Sequence, residues 1–147
     1  MSLITNPKAR FEYDITEKYV AGIVLTGQEV KSLRGNHGSL AGSFVRLLGL
    51  EAWLVNAQIP LYAFATAPDY DPKRMRKLLL HKKEVLALQN QSQQKGLTLV
   101  PLSIFLDSNR IKLEFGVGRG RKDHDKRAVI KKREMDREDA RLMKQRR

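Results

Sequence analysis

The chain has 147 residues, with 28 Lys and Arg against 16 Asp and Glu, a net charge of +12 and no cysteine. Its length fits one domain with an appendage, and the lack of cysteine excludes disulfides, thiolate catalysis and thiolate metal ligands. The positive charge favours a polyanionic partner. Nucleic acid is preferred over a membrane surface, because the sequence offers neither a helix with a large apolar face nor an apolar run long enough to span a bilayer.

The N-terminal segment carries Lys8 and Arg10 without the apolar run of a secretion signal. We therefore expect a cytoplasmic protein.

The first strand is predicted over residues 18–27, where β-branched side chains accumulate before Gly27.

A short helix is predicted over residues 26–36, with Val30 and Leu33 on one face. Glu29 in this helix has two interpretations that the sequence leaves open. It caps the helix, or it accepts hydrogen bonds from exposed bases.

Residues 44–48 and 51–56 predict a β-hairpin. Residues 71–96 predict a helical region, with Pro72 at the first helical position. His81 followed by Glu84 resembles a weak capping box, so the region could be two helices that bend at His81.

The helical region contains a cluster of six positively charged residues, which are Lys73, Arg74, Arg76, Lys77, Lys82 and Lys83. One interpretation is a solvated charged side opposite an apolar stripe. The other is a phosphate-binding surface, which the single sign of the charges favours.

A second hairpin is predicted over residues 97–118, with its turn at residues 107–109. Pro101 inside its first strand indicates an edge position or a bulge. The glycines at 116, 118 and 120 superficially resemble a phosphate-binding loop, but no Gly-Lys-Ser/Thr follows, so a flexible strand exit is the preferred interpretation.

Residues 119–147 form a basic tail with 13 Lys and Arg against 6 Asp and Glu and no aromatic residue. Its apolar side chains are too few to offset the entropy lost on ordering. Residues 128–147 lack Gly and Pro and are rich in helix formers. We predict a tail that is disordered alone and helical when a partner holds it.

The sequence gives little support for catalysis. His37, His81 and His124 stand far apart, with no Asp, Glu or His at ligand spacing, which predicts no metal site and no cofactor. No serine lies in a nucleophile-elbow context. We predict a binding protein and not an enzyme, mainly β with short helices, whose hairpins suit a small closed antiparallel barrel.

Several long stretches carry a family resemblance: residues 6–10 with Tyr13, residues 21–34 (AGIVLTGQEVKSLR), residues 53–54 with residues 59–62, residues 71–84 (DPKRMRKLLLHKKE), residues 96–102 and residues 118–127 (GRGRKDHDKR). In these stretches the chain resembles small protein B, the family of bacterial SsrA-binding proteins that partner transfer-messenger RNA in ribosome rescue. Two positions depart from the family pattern. Val20 stands where the family often has Glu, and His124 stands where many members have Tyr.

The resemblance implies an oligonucleotide-binding-like, closed six-stranded antiparallel barrel over residues 1–118 and a tail over residues 119–147. The barrel would bind the tRNA-like domain of transfer-messenger RNA through Asn6, Lys8, Glu29, Lys31, Arg34, Lys77, Leu79 and Lys82. The tail would probe the decoding centre and the empty mRNA channel of a stalled ribosome through Arg121, Lys122, His124, Asp125, Lys126 and Arg127. We expect a monomer that partners transfer-messenger RNA and the ribosome, without a membrane. The alternative is a barrel-type RNA-binding or ribosome assembly protein with no rescue role.

Overall fold

The computed structural model describes residues 2–94, 96–121, 130–135 and 137. The strands and helices follow one another as β1 Ser2–Thr5, α1 Pro7–Glu12, β2 Tyr13–Ile23, α2 Gly27–Arg34, β3 Phe44–Leu48, β4 Glu51–Val55, β5 Arg76–Leu79, α3 Lys82–Ser92, β6 Leu97–Asp107 and β7 Arg110–Gly120. Residues 130–135 and residue 137 also have helical backbone. The prediction of a mainly β chain with short helices is confirmed.

All strands belong to one antiparallel sheet with the order β1-β6-β7-β2-β5-β4-β3. The predicted hairpins, β3–β4 and β6–β7, are both confirmed. The turn of the second hairpin consists of Ser108 and Asn109, with φ of 46° and 70°. Positive φ at both positions matches the right-handed twist of the flanking strands. Pro101 lies at a register shift in β6, which confirms the bulge interpretation, because β6 is flanked by β1 and β7 and is not an edge.

The expected closed six-stranded barrel differs from the sheet that the described residues form. That sheet has seven strands, and its hydrogen-bonded ladder ends at β1 on one side and β3 on the other. β3 approaches β6 in space, so the sheet is strongly curved. β1 and β5 were not predicted, because each has only four residues, too short for a period of two to stand out.

The predicted helical region over residues 71–96 is wrong in its first half. Residues 76–79 form β5, with Arg76 and Leu78 buried and Leu79 exposed. This alternation is that of a strand, and β5 pairs with β2 and β4. Among the described residues of that range, Lys82–Ser92 alone is helical. Pairing with both neighbours overrides the helix propensity of the Arg-Lys-Leu run.

The main core lies inside the curve of the sheet and contains side chains from every strand of the sheet and from α2 and α3. Leu33 of α2, Leu54 of β4, Leu88 of α3 and Phe115 of β7 have no exposed surface. A smaller cluster joins Ala9 of α1 to β6. The helices are therefore fixed to the sheet by apolar contacts, and their polar faces remain available.

Gly116 and Gly118 are part of the regular strand β7 and do not form a loop, so the predicted flexible strand exit is wrong. A Cβ added to Gly116 would lie 2.5 Å from Cγ2 of Ile15, and one added to Gly118 would lie 2.8 Å from its Cδ1. β2 has a register shift at Ile15. The glycines allow β7 to accept the Ile15 side chain at this bulge, which is a packing role.

Candidate nucleic-acid interface

Helix α2 is fixed at its start by a reciprocal cap. The Glu29 backbone N–H donates to Oγ1 of Thr26 at 3.4 Å, and the Thr26 N–H donates to Oε1 of Glu29 at 2.9 Å. These two bonds satisfy N–H groups that the first turn of a helix otherwise leaves unpaired. The capping interpretation of Glu29 is confirmed.

The Glu29 carboxylate also lies at the centre of a buried ionic network. Glu29 and Arg76 have no exposed side-chain surface, and Nε of Arg76 donates to Oε2 of Glu29 at 2.7 Å. Arg74 pairs with both carboxylate oxygens. The Tyr70 hydroxyl lies 3.0 Å from Oε2 of Glu29 and accepts a hydrogen bond from Nη2 of Arg76 at 3.0 Å. The network ties α2 to β5 and to the segment that precedes it.

Burial of the Glu29 carboxyl would by itself raise its pKa. Hydrogen bonds from Arg74, the Thr26 N–H and Arg76 oppose this effect and lower the pKa from 4.5 to about 2. Burial and the nearby Glu29 charge instead raise the pKa of the Tyr70 hydroxyl. The carboxylate is therefore ionised, and Tyr70 stays neutral, throughout the physiological range.

This burial changes the role of two residues from the sequence analysis. Glu29 has no surface with which to touch RNA in this conformation. Arg76 is one of the six cations for which a phosphate-binding surface and a solvated charged side were both open, but its guanidinium is used inside the protein, with Nη1 donating to the Ala57 carbonyl at 2.9 Å. Both side chains therefore make their contacts inside the protein.

Lys77 and Leu79 project from the opposite face of β5 and line a groove of about 770 Å³, named here the β5 groove. Its apolar floor includes Val20, which is 44% exposed, and Leu79, which is 56% exposed. Its cationic wall includes Arg110 and Lys112 from the β6–β7 hairpin. An apolar floor with cations at its side suits the faces of bases and their phosphates.

Two of these cations already have acidic neighbours. Nζ of Lys77 lies 3.7 Å from Glu51, and Nζ of Lys112 lies 2.9 Å from Asp107, whose pKa is lowered by that hydrogen bond. Side chains in both pairs are substantially exposed, so the pairs are weak and can be exchanged for phosphate contacts.

The N-terminal predicted residues lie elsewhere. Asn6 and Lys8 line a second groove of about 410 Å³, between α1 and the segment before β3. The Asn6 amide donates to the Pro101 carbonyl at 3.0 Å, so part of its hydrogen-bonding capacity holds the β6 bulge. Lys8 is exposed.

Lys31 and Arg34 are exposed on α2, and Lys82 is exposed at the start of α3. The ammonium of Lys31 lies 5.6 Å from the centroid of the Tyr62 ring, within cation–π distance. The predicted contact residues therefore occupy three places, which are the β5 groove with Lys82 beside it, the N-terminal groove, and α2.

Of the six tail residues predicted to contact the ribosome, Arg121 is the one that the structure describes. It is half-buried, and its backbone N–H donates to the Glu12 carbonyl at 2.8 Å. Lys122, His124, Asp125, Lys126 and Arg127 lie outside the described residues. β7 itself continues to Gly120, where it pairs with Tyr13 of β2, so the ladder extends two residues beyond the predicted boundary.

A row of side chains on the outer face of the sheet was not predicted. Arg46, Trp53 and Lys77 are direct partners across β3, β4 and β5, so their side chains share one face. The row places an indole between two cations and extends the basic surface beyond the β5 groove. Strand alternation in both hairpin strands was visible, but the pairing register that aligns the three residues was not.

The described residues contain neither a cluster of potential metal ligands nor a membrane-spanning helix. No group of three or more His, Asp or Glu side chains is arranged to hold a metal ion there. Within the same residues, no helix is both long and apolar enough to cross a bilayer.

Comparison with known proteins identifies the family. The profile of the SmpB protein family matches residues 3–145. The SsrA-binding protein of Thermosynechococcus vestitus is 49% identical over 146 residues, covering 98% of this chain and 95% of that protein. The SsrA-binding protein of Bartonella tribocorum is 47% identical over 140 residues, covering 95% and 89% of the two chains.

A solved structure gives the same assignment at the level of the fold. A chain from "tmRNA-SmpB: a journey to the center of the bacterial ribosome" superposes with a TM-score of 0.69 at 45% identity, covering 82% of this chain and 85% of that one. Sequence and fold agree over most of the length, and the chain belongs to the SmpB protein family.

Proposed function

We propose that the protein binds the SsrA RNA, also called transfer-messenger RNA, and delivers it to stalled ribosomes for trans-translation. The observation that carries this function is the near full-length identity with SsrA-binding proteins, 49% in one case, together with a structural relative described as tmRNA-SmpB in the bacterial ribosome. The family is one of RNA-binding proteins, and its partners are an RNA and the ribosome. We place this activity in the bacterial cytoplasm.

The RNA-binding surface is centred on the β5 groove. Lys77, Leu79 and Lys82 contact the tRNA-like domain there, and Lys31 and Arg34 extend the contact along α2. These cations neutralise phosphates and fit the shape of the RNA, because an A-form stem displays little readable sequence in its deep groove. Asn6 and Lys8 add a contact at the N-terminal groove. Glu29 acts by holding α2 and β5 in register.

The curvature of the sheet supports an oligonucleotide-binding-like use of its outer surface. β3 approaches β6, so the strands wrap most of the way around the core. Small barrels of that type present a strand face and adjacent loops to nucleic acid. The row of Arg46, Trp53 and Lys77 lies on such a face.

The basic tail performs the ribosomal step. Its residues Arg121, Lys122, His124, Asp125, Lys126 and Arg127 enter the decoding centre and the empty mRNA channel, which a bound message would block. The support is the concentration of charge in residues 119–147, which hold 13 of the 28 Lys and Arg residues. Such a segment gains order from a polyanionic channel.

Truncation tests this division of labour. Because β7 pairs through Gly120 and the Arg121 N–H bonds to Glu12, the deletion should remove residues 122–147 and leave the ladder intact. We expect Kd for the tRNA-like RNA to rise only modestly, through lost charge, while peptide tagging on stalled ribosomes is abolished. Fluorescence anisotropy and a reconstituted tagging assay measure the two steps.

The control is a full-length chain with alanine at Lys132 and Arg133, which are exposed and lie outside the predicted tail contacts. It should tag more efficiently than the truncated protein. A truncated protein that tags normally would contradict the proposed tail function. A full-length protein that binds ribosomes equally well without transfer-messenger RNA would favour a general ribosome-binding role instead.

A further inference from the structure

Phe64 is more exposed than any other large apolar side chain that the structure describes, at 88%. It lies in the segment between β4 and β5, outside the β5 groove and the N-terminal groove. A phenyl ring left in water contributes nothing to the core, and here it lies beside a second aromatic ring, that of Tyr62.

The backbone beneath this ring is held firmly by α2. Oγ of Ser32 donates to the Pro60 carbonyl at 2.8 Å, and the Tyr62 N–H donates to Oε1 of Gln28 at 2.9 Å. Gln28 and Ser32 are four residues apart and therefore lie on one face of the helix. A third bond, from the Ala65 N–H to the Tyr62 carbonyl at 2.9 Å, closes a turn that contains Phe64. The ring is thus presented from a fixed turn.

Two neighbours complete what we name the aromatic platform, which consists of Lys31, Tyr62 and Phe64. The Tyr62 and Phe64 rings meet edge to face, with centroids 5.6 Å apart and an interplanar angle of 67°. The Lys31 ammonium lies 5.6 Å from the centroid of Tyr62. Lys31 therefore engages Tyr62, and the faces of Phe64 remain open to solvent.

The exposed charged side chains of helix α2, which supplies Lys31 to the platform, are positive. Lys31 and Arg34 are exposed on α2, and the acidic residue of that helix, Glu29, is buried and paired with arginines. An apolar protein surface would gain nothing from these cations. An RNA strand would, because each unpaired base carries a flat ring with a phosphate a few ångströms away.

We propose that the aromatic platform stacks an unpaired base of the bound RNA on Phe64 while Lys31 contacts the adjoining phosphate. This inference rests on the proposed RNA-binding function and adds a contact class to it, recognition of a single-stranded or looped nucleotide. Base–aromatic stacking does not depend strongly on base identity, so the platform recognises an unstacked nucleotide more than a sequence.

The test compares Phe64→Ala and Phe64→Leu with the unaltered full-length chain. Two labelled probes are used in anisotropy titrations, the tRNA-like domain with its loops and a perfect RNA duplex of equal length. Replacing a stacked aromatic should weaken binding to the looped probe about 5- to 150-fold, with little change on the duplex. Phe64→Trp should retain the affinity. Leu86→Ala is the matched control, because Leu86 is an exposed apolar residue, 43% exposed, on α3.

Four results would contradict the proposed stacking on Phe64, each in a different way. Equal affinity of the unaltered chain and Phe64→Ala for the looped probe would overturn the platform and leave the proposed function standing. An equal loss on loops and duplex would overturn stacking in favour of a general effect. Normal RNA affinity with a loss of ribosome binding would assign Phe64 to a ribosomal surface. Failure of the unaltered chain to bind either probe would overturn both this inference and the proposed function.

Discussion

Arg76 and Lys77 are neighbours in β5 and carry the same charge, yet the structure uses them in opposite ways. The Arg76 side chain has no exposed surface and pairs with Glu29, whereas the Lys77 side chain is 44% exposed and pairs with Glu51 across the surface. Successive side chains of a strand point to opposite faces. The role of each charge therefore follows from the face on which it lies.

Buried charged residues such as Arg76 support the fold beneath the surface, whereas exposed ones such as Lys77 are available to a ligand. A buried ion pair loses hydration that its own attraction only partly returns, so removing one partner leaves an uncompensated charge. An exposed pair loses little when one partner is removed. Substitutions in the Glu29 network should affect folding first, and substitutions in the β5 groove should affect RNA binding first.

The largest effect is expected from Arg76→Ala. It leaves the buried Glu29 carboxylate with only its other partners and opens a cavity, so the free energy of unfolding should fall by about 3–5 kcal/mol. Urea denaturation followed by circular dichroism measures the change. Lys77→Ala is the matched control one residue away, with an expected change of less than about 1 kcal/mol. Similar values for the two variants would contradict the contrast between the faces.

A smaller effect is expected when acid protonates Glu29. Its pKa is about 2 in the folded protein against an ordinary value of 4.5. A lowered pKa means that the stabilisation is fully present above about pH 5 and disappears as pH falls toward 2, and this shift corresponds to about 3 kcal/mol. Unfolding free energies measured between pH 7 and pH 3 should fall more steeply in the unaltered chain than in Glu29→Gln. Parallel slopes would show that Glu29 is not the titrating group.

The sequence predicted the elements in which local signals agree with the fold. Thr26 and Glu29 form the cap at the start of α2. Ser108 and Asn109 form the tight turn of the β6–β7 hairpin. Pro101 in a strand indicated an edge position or a bulge, and the bulge is present. In each case a residue with restricted chemistry determines the backbone around it.

β5 could not be predicted in this way, because it has four residues and good helix formers. Its conformation depends on pairing with β2 and β4, partners far away in the sequence. The same limit applies to the site. A row of like charges predicts a phosphate-binding surface, and no local pattern shows that Glu29 would lie inside the protein beside Arg76. Phe64 was missed because its exposure depends on contacts between α2 and a distant turn.

The smallest effect is expected at the surface. Lys77→Ala should weaken binding to the tRNA-like RNA by about two- to fivefold, since a single exposed phosphate contact is removed and the fold is kept. If about 4–6 cations contact phosphates, log K should fall with log salt concentration at a slope of about −3 to −5, and the variant should lower its magnitude by about one. Titrations at several salt concentrations measure both quantities.

Glu51→Ala sharpens this last experiment, because it removes the acidic neighbour 3.7 Å from the Lys77 ammonium. Freed of that partner, Lys77 should bind RNA at least as tightly as before, and the affinity of Glu51→Ala should equal or exceed that of the unaltered chain. The two substitutions remove opposite members of one exposed pair, so a general loss of structure would lower the affinity of both. Opposite changes in affinity would assign Lys77 to the RNA contact. A salt slope that is unchanged in Lys77→Ala would show that Lys77 does not contact a phosphate.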